Sequence, residues 1–469
     1  MRHAPDDGRR GQRAAAPEGP EAPPDGRTGE RHAFFSALLT GVLAPLNSTM
    51  IVVALPAVLA DLEADLTWGS WIIVSYLVAM AAVQPLGGSL GDRLGRRRLM
   101  LFGLAGFALA SLLAAFAWRV EVLVLARSLQ AVTGASAIPN GTALVRTLVS
   151  SERQGRAFGM LGAGLSVAAA LGPPLGGIVT DALGWRWLFA LNLLVLLPAL
   201  ALVWRLPAPA SARPRSSFDL LGSALLLLTL LGAAAALTLW RLPGIPLALA
   251  PALALGAALA GWWFVRHARH RPDPVLHVTL LGRRGFLAAG VAVASSNLVM
   301  YAAFVALPLF LAQLVGWGTR EVGWAVAAMS LAMLVWGPLG GAWADRSGRR
   351  RPAVTGAAVA LVATASFAAI APGWPWWAFA GLLVTLGTGI GLANAAIQTA
   401  AMQAAGAAEA GQAAGLFSTL RYTGSIIGTA GLAAVLGDAS EVAAFRVLFA
   451  LVALVAVAAV VSTARLPAR

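Results

Sequence analysis

The sequence lacks cysteine and lysine altogether, and it is poor in charged residues of either sign. Without cysteine, the chain can form no disulfide, no thiolate metal site and no cysteine nucleophile. Charged residues make up only 12% of the 469 positions, about half of the ~25% that is usual in soluble domains. Hydrophobic residues make up 59%, against ~45–50% in soluble domains. These proportions exclude a soluble enzyme and a disordered protein.

The basic residues are all arginine, 34 in number, and the net charge is +14. A charge of this size can indicate nucleic-acid binding. Here, however, the arginines stand in short clusters between long apolar runs, which is typical of the loops of a membrane protein. We therefore expect the lipid bilayer, and no nucleic acid, as a partner.

Fourteen apolar stretches follow residue 33, each long enough to cross ~30 Å of hydrocarbon. Residues 1–33 contain no apolar run and are predicted to form a disordered tail. This tail is not a signal peptide, because the first apolar stretch is over 20 residues long and many more follow it. An even number of spans puts both termini on the same side of the membrane.

The arginines predict which side that is. If both termini are cytoplasmic, 27 arginines lie in cytoplasmic segments and five in outer loops and span edges, while two lie inside spans. Such an excess on one side follows the positive-inside rule. The sequence therefore predicts a multi-pass protein of a cytoplasmic membrane, with both termini in the cytoplasm.

Two segments of the chain are near copies of each other. Residues 85–98 read PLGGSLGDRLGRRR and residues 338–351 read PLGGAWADRSGRRR, with ten of fourteen positions identical. Each copy follows an even-numbered span, so spans 1–6 and 9–14 are predicted to be related halves with two spans inserted between them. The predicted divisions are a tail at 1–33, a six-helix bundle at 34–205, a linker with two membrane helices at 206–284, and a second six-helix bundle with a short cytoplasmic tail at 285–469.

The segment GGSLGDRLGRR at 87–97 resembles the signature G-x-L-x-D-R-x-G-R-R of the major facilitator superfamily. The segment LGPPLGG at 171–177 resembles the antiporter motif of drug exporters, and RSLQ at 127–130 resembles the motif R-x-L-Q-G. Together with matches near Trp185 and Asp219, they resemble the fourteen-span drug:proton antiporter subfamily. The resemblance implies an all-α polytopic fold of two six-helix bundles plus two helices, and a bacterial multidrug or antibiotic exporter that works by alternating access. It implies no cofactor, with the proton gradient as the energy source.

In that superfamily the signature loops act as gates, so the resemblance implies that Asp92 latches onto the start of span 13 near Gly411. Asp345 would likewise reach span 5 near Arg156. The alternative is that both carboxylates only balance arginine in tight turns. The predicted gating residues are Asp92, Arg93, Gly95, Arg96, Asp345, Arg346, Gly348 and Arg349.

Small residues recur every four positions in span 5 and form one ridge, which allows two helices to touch closely. Ordinary close packing explains part of this pattern, and Pro173 weakens the helix further. The resemblance to exporters implies a sealed seam that disfavours leak. The predicted motif residues are Gly164, Gly172, Pro173, Gly176 and Gly177.

Polar side chains in six spans predict a substrate path. Arg127 lies roughly 10 Å below the outer end of span 4, where a charge is costly unless it faces a cavity or a partner. Snorkelling to the headgroups and ordinary helix–helix hydrogen bonds remain alternatives. The predicted path residues are Asn47, Tyr76, Gln84, Arg127, Gln130, Asn297, Tyr301, Asn394, Gln398, Arg421 and Tyr422.

The sequence departs from the subfamily in span 1, where the family has an aspartate and this chain has Asn47. Asparagine does not titrate, and no span has an acid or histidine near its middle. Asp181 and Glu121, at the outer ends of spans 5 and 4, are the nearest candidate proton carriers. Embedded arginines without embedded acids favour a neutral or anionic substrate.

Two alternatives stay open at this point. The loss of the acid in span 1 favours an uncoupled facilitator, uniporter or importer on the same fold. A non-transporting membrane sensor or scaffold is opposed by the short loops. An enzyme is not predicted, since the spans hold no nucleophile–base–acid set and the sequence has no metal-ligand cluster or phosphate loop. The sequence leaves the oligomeric state and the role of the two inserted helices undecided.

Overall fold

A computed structural model describes residues 26–206, 219–241, 245–406, 409–437 and 441–467. These residues form fourteen long α-helices and no β-strand. The helices are α1 (Gly26–Asp61), α2 (Leu66–Leu94), α3 (Arg96–Ala115), α4 (Val120–Leu148), α5 (Ser151–Leu183), α6 (Arg186–Trp204), α7 (Leu220–Thr238), α8 (Leu249–His270), α9 (Arg284–Phe310), α10 (Thr319–Ser347), α11 (Arg350–Phe367), α12 (Trp376–Ala405), α13 (Ala410–Leu436) and α14 (Val442–Ala464).

Twelve of these helices are long and apolar enough to cross a membrane. The other two are α11, which begins with Arg350 and Arg351, and α13, which contains Arg421 and many small polar residues. Both belong to the second predicted bundle and pack within it, α11 against α12 and α14, and α13 against α9. Packing against neighbouring helices therefore places α11 and α13 within the second bundle, although their own sequences are not apolar enough to indicate a membrane span.

Most of the closest helix contacts fall within two groups of six, α1–α6 and α9–α14. The main contacts between the groups join α5 to α10, α2 to α13 and α1 to α9. The two inserted helices pack on each other, and α7 also lies against α2 and α13, at the boundary between the groups. Helix α8 is the more exposed of the pair.

The chain has two distinguishable ends along the helix axes. At one end, which we call the arginine-rich side, Arg97 donates hydrogen bonds to carbonyls at the end of α6, and Arg283 to carbonyls at the end of α12. At the other, which we call the opposite side, Arg186 joins the start of α6 to Asp61 at the end of α1, at 2.6 Å. Arg97 and Arg283 thus lie at one end of the helices and Arg186 at the other.

Helix α1 begins earlier than expected. The predicted disordered tail covered 1–33, but residues 26–33 form the first turns of α1. There Glu30 binds Arg153 at 3.0 Å, at the start of α5, and also accepts a hydrogen bond from the Ser150 backbone. Glu30 and Arg153 are over a hundred residues apart in sequence, so local composition does not reveal their contact. The contact stabilises the polar first turns of α1 against the start of α5. The rest of the predicted tail lies outside the described residues.

The two signature loops have the same backbone conformation. Gly95 has φ +92° and Gly348 has φ +81°, a region that favours glycine over residues with a side chain. Each glycine ends one helix and lets the next begin within one or two residues. The repeated glycine in the sequence thus marks a tight reversal that both halves require.

Candidate translocation site

The centre of the site is Arg127, whose side chain is fully buried with 1% of its surface exposed. Its Nη1 donates to Asn47 Oδ1 at 2.7 Å and to Gln130 Oε1 at 3.1 Å. Its Nε donates to the Ile72 carbonyl at 3.4 Å, and its guanidinium lies 4.3 Å from the centre of the Tyr76 ring. Helices α1, α2 and α4 therefore surround one positive charge with neutral acceptors and an aromatic face.

The three tyrosines of the chain lie within electrostatic range of one another, and two of them, Tyr76 and Tyr301, also lie within range of Arg127. Tyr76 of α2 is close enough to Tyr301 of α9 and Tyr422 of α13 to interact with both electrostatically. Tyr301 also hydrogen-bonds Ser48 of α1, which links the two halves, and it interacts with Arg421. The cluster therefore spans the boundary between the halves, where a substrate site of this architecture is expected.

Two buried groups of the cluster have no hydrogen-bond partner among the described residues. They are the amide nitrogen of Asn47, in a residue 4% exposed, and the hydroxyl of Tyr76, in a residue 2% exposed. A buried polar group without a partner costs about 1–3 kcal/mol. The Asn47 amide is a donor, and the Tyr76 hydroxyl can donate as well. A ligand that supplied acceptor atoms here would relieve this cost.

A second layer of hydrogen bonds supports Arg127 and was not predicted from the sequence. Gln130 donates to the Ser111 hydroxyl at 2.8 Å, and Asn192 donates to the same hydroxyl at 3.3 Å. These bonds tie α4 to α3 and α6 and fix the Gln130 oxygen toward Arg127. A single serine in an apolar helix carries no sequence signal that could have identified it.

The other predicted path residues are more dispersed. Asn297 is buried but donates to the carbonyl of Val293 in its own helix, which is an ordinary structural role. Gln84 and Asn394 are half-buried, and Gln398 is exposed. Arg421 is also exposed, with its guanidinium 5.3 Å from the Tyr422 ring. The structure thus brings together Asn47, Tyr76, Arg127, Gln130, Tyr301, Arg421 and Tyr422, and leaves the remaining four outside this cluster.

The two candidate proton carriers are surface groups. Asp181 is exposed near the end of α5. Glu121 pairs at 3.1 Å with Arg119, and both side chains are largely exposed. Neither carboxylate contacts the buried cluster, so their predicted role in coupling stays a prediction.

The glycine ridge of α5 packs against two partners rather than one. A Cβ atom on Gly176 would lie 2.7 Å from the Met50 carbonyl of α1, and one on Gly172 would overlap the Thr49 side chain. Gly177, one position on, faces the other half: its Cβ would lie 3.0 Å from Gly323 Cα in α10. The motif therefore packs α5 on its own bundle and, through the adjacent face, seals the halves together on the opposite side.

Neither predicted cross-half latch is formed in this structure. Asp92 binds Arg96 of its own loop at 2.8 Å, because that cation is only one helical turn away. Arg96 in turn donates to the Ala143 carbonyl of α4, in the same half. Asp345 is exposed and has no ion pair among the described residues. The halves are joined on the opposite side, and the two gating carboxylates do not join them on the arginine-rich side.

The sequence matches the family model described as Major Facilitator Superfamily over residues 37–429. The chain therefore belongs to this superfamily, which confirms the predicted all-α polytopic fold. Members of the superfamily are transporters and not enzymes.

Three relatives illustrate the range of similarity. The chain is 30% identical over 398 residues to the uncharacterized MFS-type transporter YvkA of Bacillus subtilis, covering 84% of this chain and 88% of that protein. It is 30% identical over 443 residues to the probable actinorhodin transporter of Streptomyces coelicolor, covering 91% and 75%. It is 36% identical over 241 residues to the multidrug efflux pump LfrA of Mycolicibacterium smegmatis, covering 51% and 47%. The predicted resemblance to drug-exporting transporters is consistent with these matches.

Proposed function

We propose that this protein exports a small organic molecule, neutral or anionic, across a bacterial cytoplasmic membrane by alternating access. The arginine-rich side would face the cytoplasm, with both termini on that side. The single observation that carries the proposal is the buried cluster around Arg127, whose guanidinium has only neutral partners and whose neighbours Asn47 and Tyr76 keep unpaired polar groups. A substrate group rich in hydrogen-bond acceptors would accept from all three side chains.

Charge supports the anionic form of this proposal. A buried charge without a counter-charge is destabilising by several kcal/mol, and no acid lies within the cluster among the described residues. Arg421, which belongs to the second half together with Tyr301, brings a second positive charge close to that tyrosine. A carboxylate, sulfonate or phenolate held between the halves would neutralise Arg127, whereas a lipophilic cation would meet two like charges.

The packing of the halves supports export. The seam between Gly177 and Gly323 closes the opposite side, and the gating carboxylates leave the arginine-rich side without a latch. With the arginine-rich side cytoplasmic, a conformation sealed on the opposite side is the one in which an exporter would load its substrate. The relatives named as an efflux pump and an actinorhodin transporter add support for outward transport.

Proton antiport is the energy source that the resemblance implies, with Asp181 and Glu121 as the carriers to test. A second candidate, uncoupled export, is favoured by a specific observation: Asn47 stands beside Arg127 where the subfamily has an acid, and it cannot titrate. Export of an anion does not require proton coupling, because an inside-negative potential of 100 mV drives each negative charge outward with about 2.3 kcal/mol.

The experiment uses inverted membrane vesicles that contain the protein, energised to an acid interior and loaded with a pH-quenched dye. Anionic, neutral and cationic antibiotics and metabolites are added in turn, and labelled compound is counted in parallel. The matched variants are Arg127→Gln and Arg119→Gln, since Arg119 is an exposed arginine near the start of the same helix.

Uptake of neutral or anionic compounds into the vesicles, lost in Arg127→Gln and kept in Arg119→Gln, is the expected result. Dye recovery together with that uptake identifies proton antiport. Uptake without dye recovery identifies the uncoupled candidate. Saturable transport restricted to cationic compounds would contradict the proposed substrate class.

A further inference from the structure

The end of inserted helix α8 on the arginine-rich side forms one wall of a basic pocket. The pocket has a volume of about 420 Å³ and is lined by Arg266, His267, His270, Arg271 and Pro272. Four of its five lining residues thus carry cationic or protonatable side chains. It lies outside the translocation cluster, and the proposed function makes no use of it.

The one buried carboxylate beside this pocket, Asp219, is already occupied, and the exposed Asp273 directly follows Pro272. Asp219, before the start of α7, is 3% exposed and accepts hydrogen bonds from the backbone of Gly222 and Val275, each at 3.0 Å. It also lies 2.7 Å from His267 Nε2 and 3.7 Å from Arg271 Nε. At this end of α8 three arginines, Arg266, Arg269 and Arg271, stand against two carboxylates, Asp219 and Asp273, which leaves a net positive charge even when both histidines are neutral.

Arg266 is one of several arginines on the arginine-rich side for which the described residues show no carboxylate partner. Arg96, Arg153 and Arg283 each pair with a carboxylate. Arg266 has no acidic partner among the described residues, and its guanidinium lies 5.8 Å from the Trp262 ring of its own helix. His270 Nδ1 donates to the Arg266 carbonyl at 2.7 Å, so Nε2 is an acceptor in the neutral ring and a donor only in the protonated ring. Simple charge balance within the protein therefore does not account for this cluster.

The surroundings place the pocket at the level of lipid headgroups. Of the twelve candidate spans, α8 has the smallest buried share, 11%, so most of its surface faces lipid. Trp262 and Trp263, one turn deeper than the pocket, are 59% and 57% exposed, and indole rings favour the membrane interface. A second cavity of about 380 Å³ adjoins the same helix end and is lined by Val265, Arg269, Val278, Thr279, Leu281 and Gly282. Its largely apolar wall suits an acyl chain.

We propose that this pocket binds the phosphate headgroup of an anionic phospholipid, which would join the end of α8 to the connection leading into α9. Clusters of basic residues at the cytoplasmic end of a membrane helix are suited to such headgroups. The guanidinium of Arg266 supplies donors that no group among the described residues uses. The protonated ring of His270 would add one at Nε2, and Arg271 lies beside them. A phosphate monoester or free phosphate shares this chemistry, but only a lipid also uses the adjoining apolar cavity.

The test uses the full chain, purified in mild detergent and delipidated, and native mass spectrometry to count bound lipid. Phosphatidylglycerol and phosphatidylcholine of equal chain length are titrated separately, and inorganic phosphate is added as a competitor in a third arm. The disrupting variant is Arg266→Gln with His270→Gln, which leaves the Asp219 contacts in place. Arg266→Lys keeps the charge, and Arg205→Gln removes an exposed arginine at the end of α6.

The expected result is a preference for phosphatidylglycerol that falls about five- to tenfold in the double variant, because each basic residue near the headgroup contributes about a factor of five. Arg266→Lys retains most of the preference, and Arg205→Gln retains all of it. Equal binding of the two lipids by the unaltered protein, or an equal loss in Arg205→Gln, would overturn the proposal. Displacement of the lipid by millimolar inorganic phosphate would also overturn it, in favour of a free-phosphate site.

Discussion

The substitution Asn47→Asp tests the electrostatic basis of the buried cluster. The Asn47 oxygen lies 2.7 Å from Arg127 Nη1, so a carboxylate of nearly the same shape would neutralise that guanidinium internally. An anionic substrate held about 6 Å from the new charge meets a repulsion of about 2.8 kcal/mol at an effective dielectric constant of ~20. That is about a 100-fold loss of affinity. The unaltered protein has no such opposing charge.

The assay is equilibrium binding to the purified protein, with the tightest permanently ionised anion of the vesicle panel as the ligand. Such an anion does not itself titrate, so any pH dependence belongs to the protein. Protonation of the introduced carboxyl removes its charge, so affinity in the variant should recover as pH falls through the pKa of that group. The unaltered cluster has no acid or histidine and should bind with a nearly constant affinity between about pH 5 and pH 8.

The control is Asn47→Ala, which removes the amide without adding charge. It should weaken binding by about tenfold or less, in line with the loss of one neutral hydrogen bond, and without pH dependence. If Asn47→Asp binds the anion as well as the unaltered protein at neutral pH, the substrate's charge does not meet Arg127 and the reasoning is refuted. Equal losses in the two variants would point to shape rather than charge.

Two further predictions concern the seam and the connection between the inserted helices. Gly323→Ala should slow transport tenfold or more, because its Cβ would lie 2.9 Å from Gly177 Cα when the opposite side closes, and overpacking costs about 1–3 kcal/mol. The control is Gly337→Ala in the same helix, which should transport normally because no atom lies within 4 Å of its Cβ. Equal transport rates of the two variants in vesicles would refute the seam. Burial opposes ionisation of Asp219, but hydrogen bonds from the Val275 and Gly222 backbone and from His267 outweigh it and hold the pKa of that carboxyl below its usual value. The ionised carboxyl therefore stabilises the folded protein fully above about pH 4, and this stabilisation is lost as pH falls through the folded-state pKa. Asp219→Asn should therefore lower the thermal midpoint at neutral pH by more than exposed Asp273→Asn, with the difference shrinking in acid; a constant difference would contradict this linkage.

The division into halves could be predicted from the sequence because two loops kept the same residues in both copies. Gly95 and Gly348 both need positive φ, so each copy of the turn had to retain its glycine. The start of α1 could not be predicted in the same way. It depends on Glu30 reaching Arg153, a contact that exists only after α1 and α5 have packed.

The site was predicted in part for a similar reason. The depth of Arg127 in an apolar span required a polar partner, and Asn47 provides it. Ser111 gave no signal, because a serine in an apolar helix is equally compatible with a bond to its own backbone. The predicted latches of Asp92 and Asp345 would form only when the arginine-rich side of the transporter is closed. One sequence must serve every conformation of the cycle, so it cannot indicate which contacts a given conformation makes.

The most direct test of the central claim is the sign of the charge that the protein moves. Proteoliposomes adsorbed on a solid-supported membrane would receive concentration jumps of a matched naphthalene series that carries a sulfonate, a sulfonamide or a trimethylammonium group, together with the anions of the vesicle panel. The account predicts currents of negative charge for the anions, lost in Arg127→Gln and preserved in Arg119→Gln. Positive currents with the trimethylammonium compound, unchanged in Arg127→Gln, would contradict it.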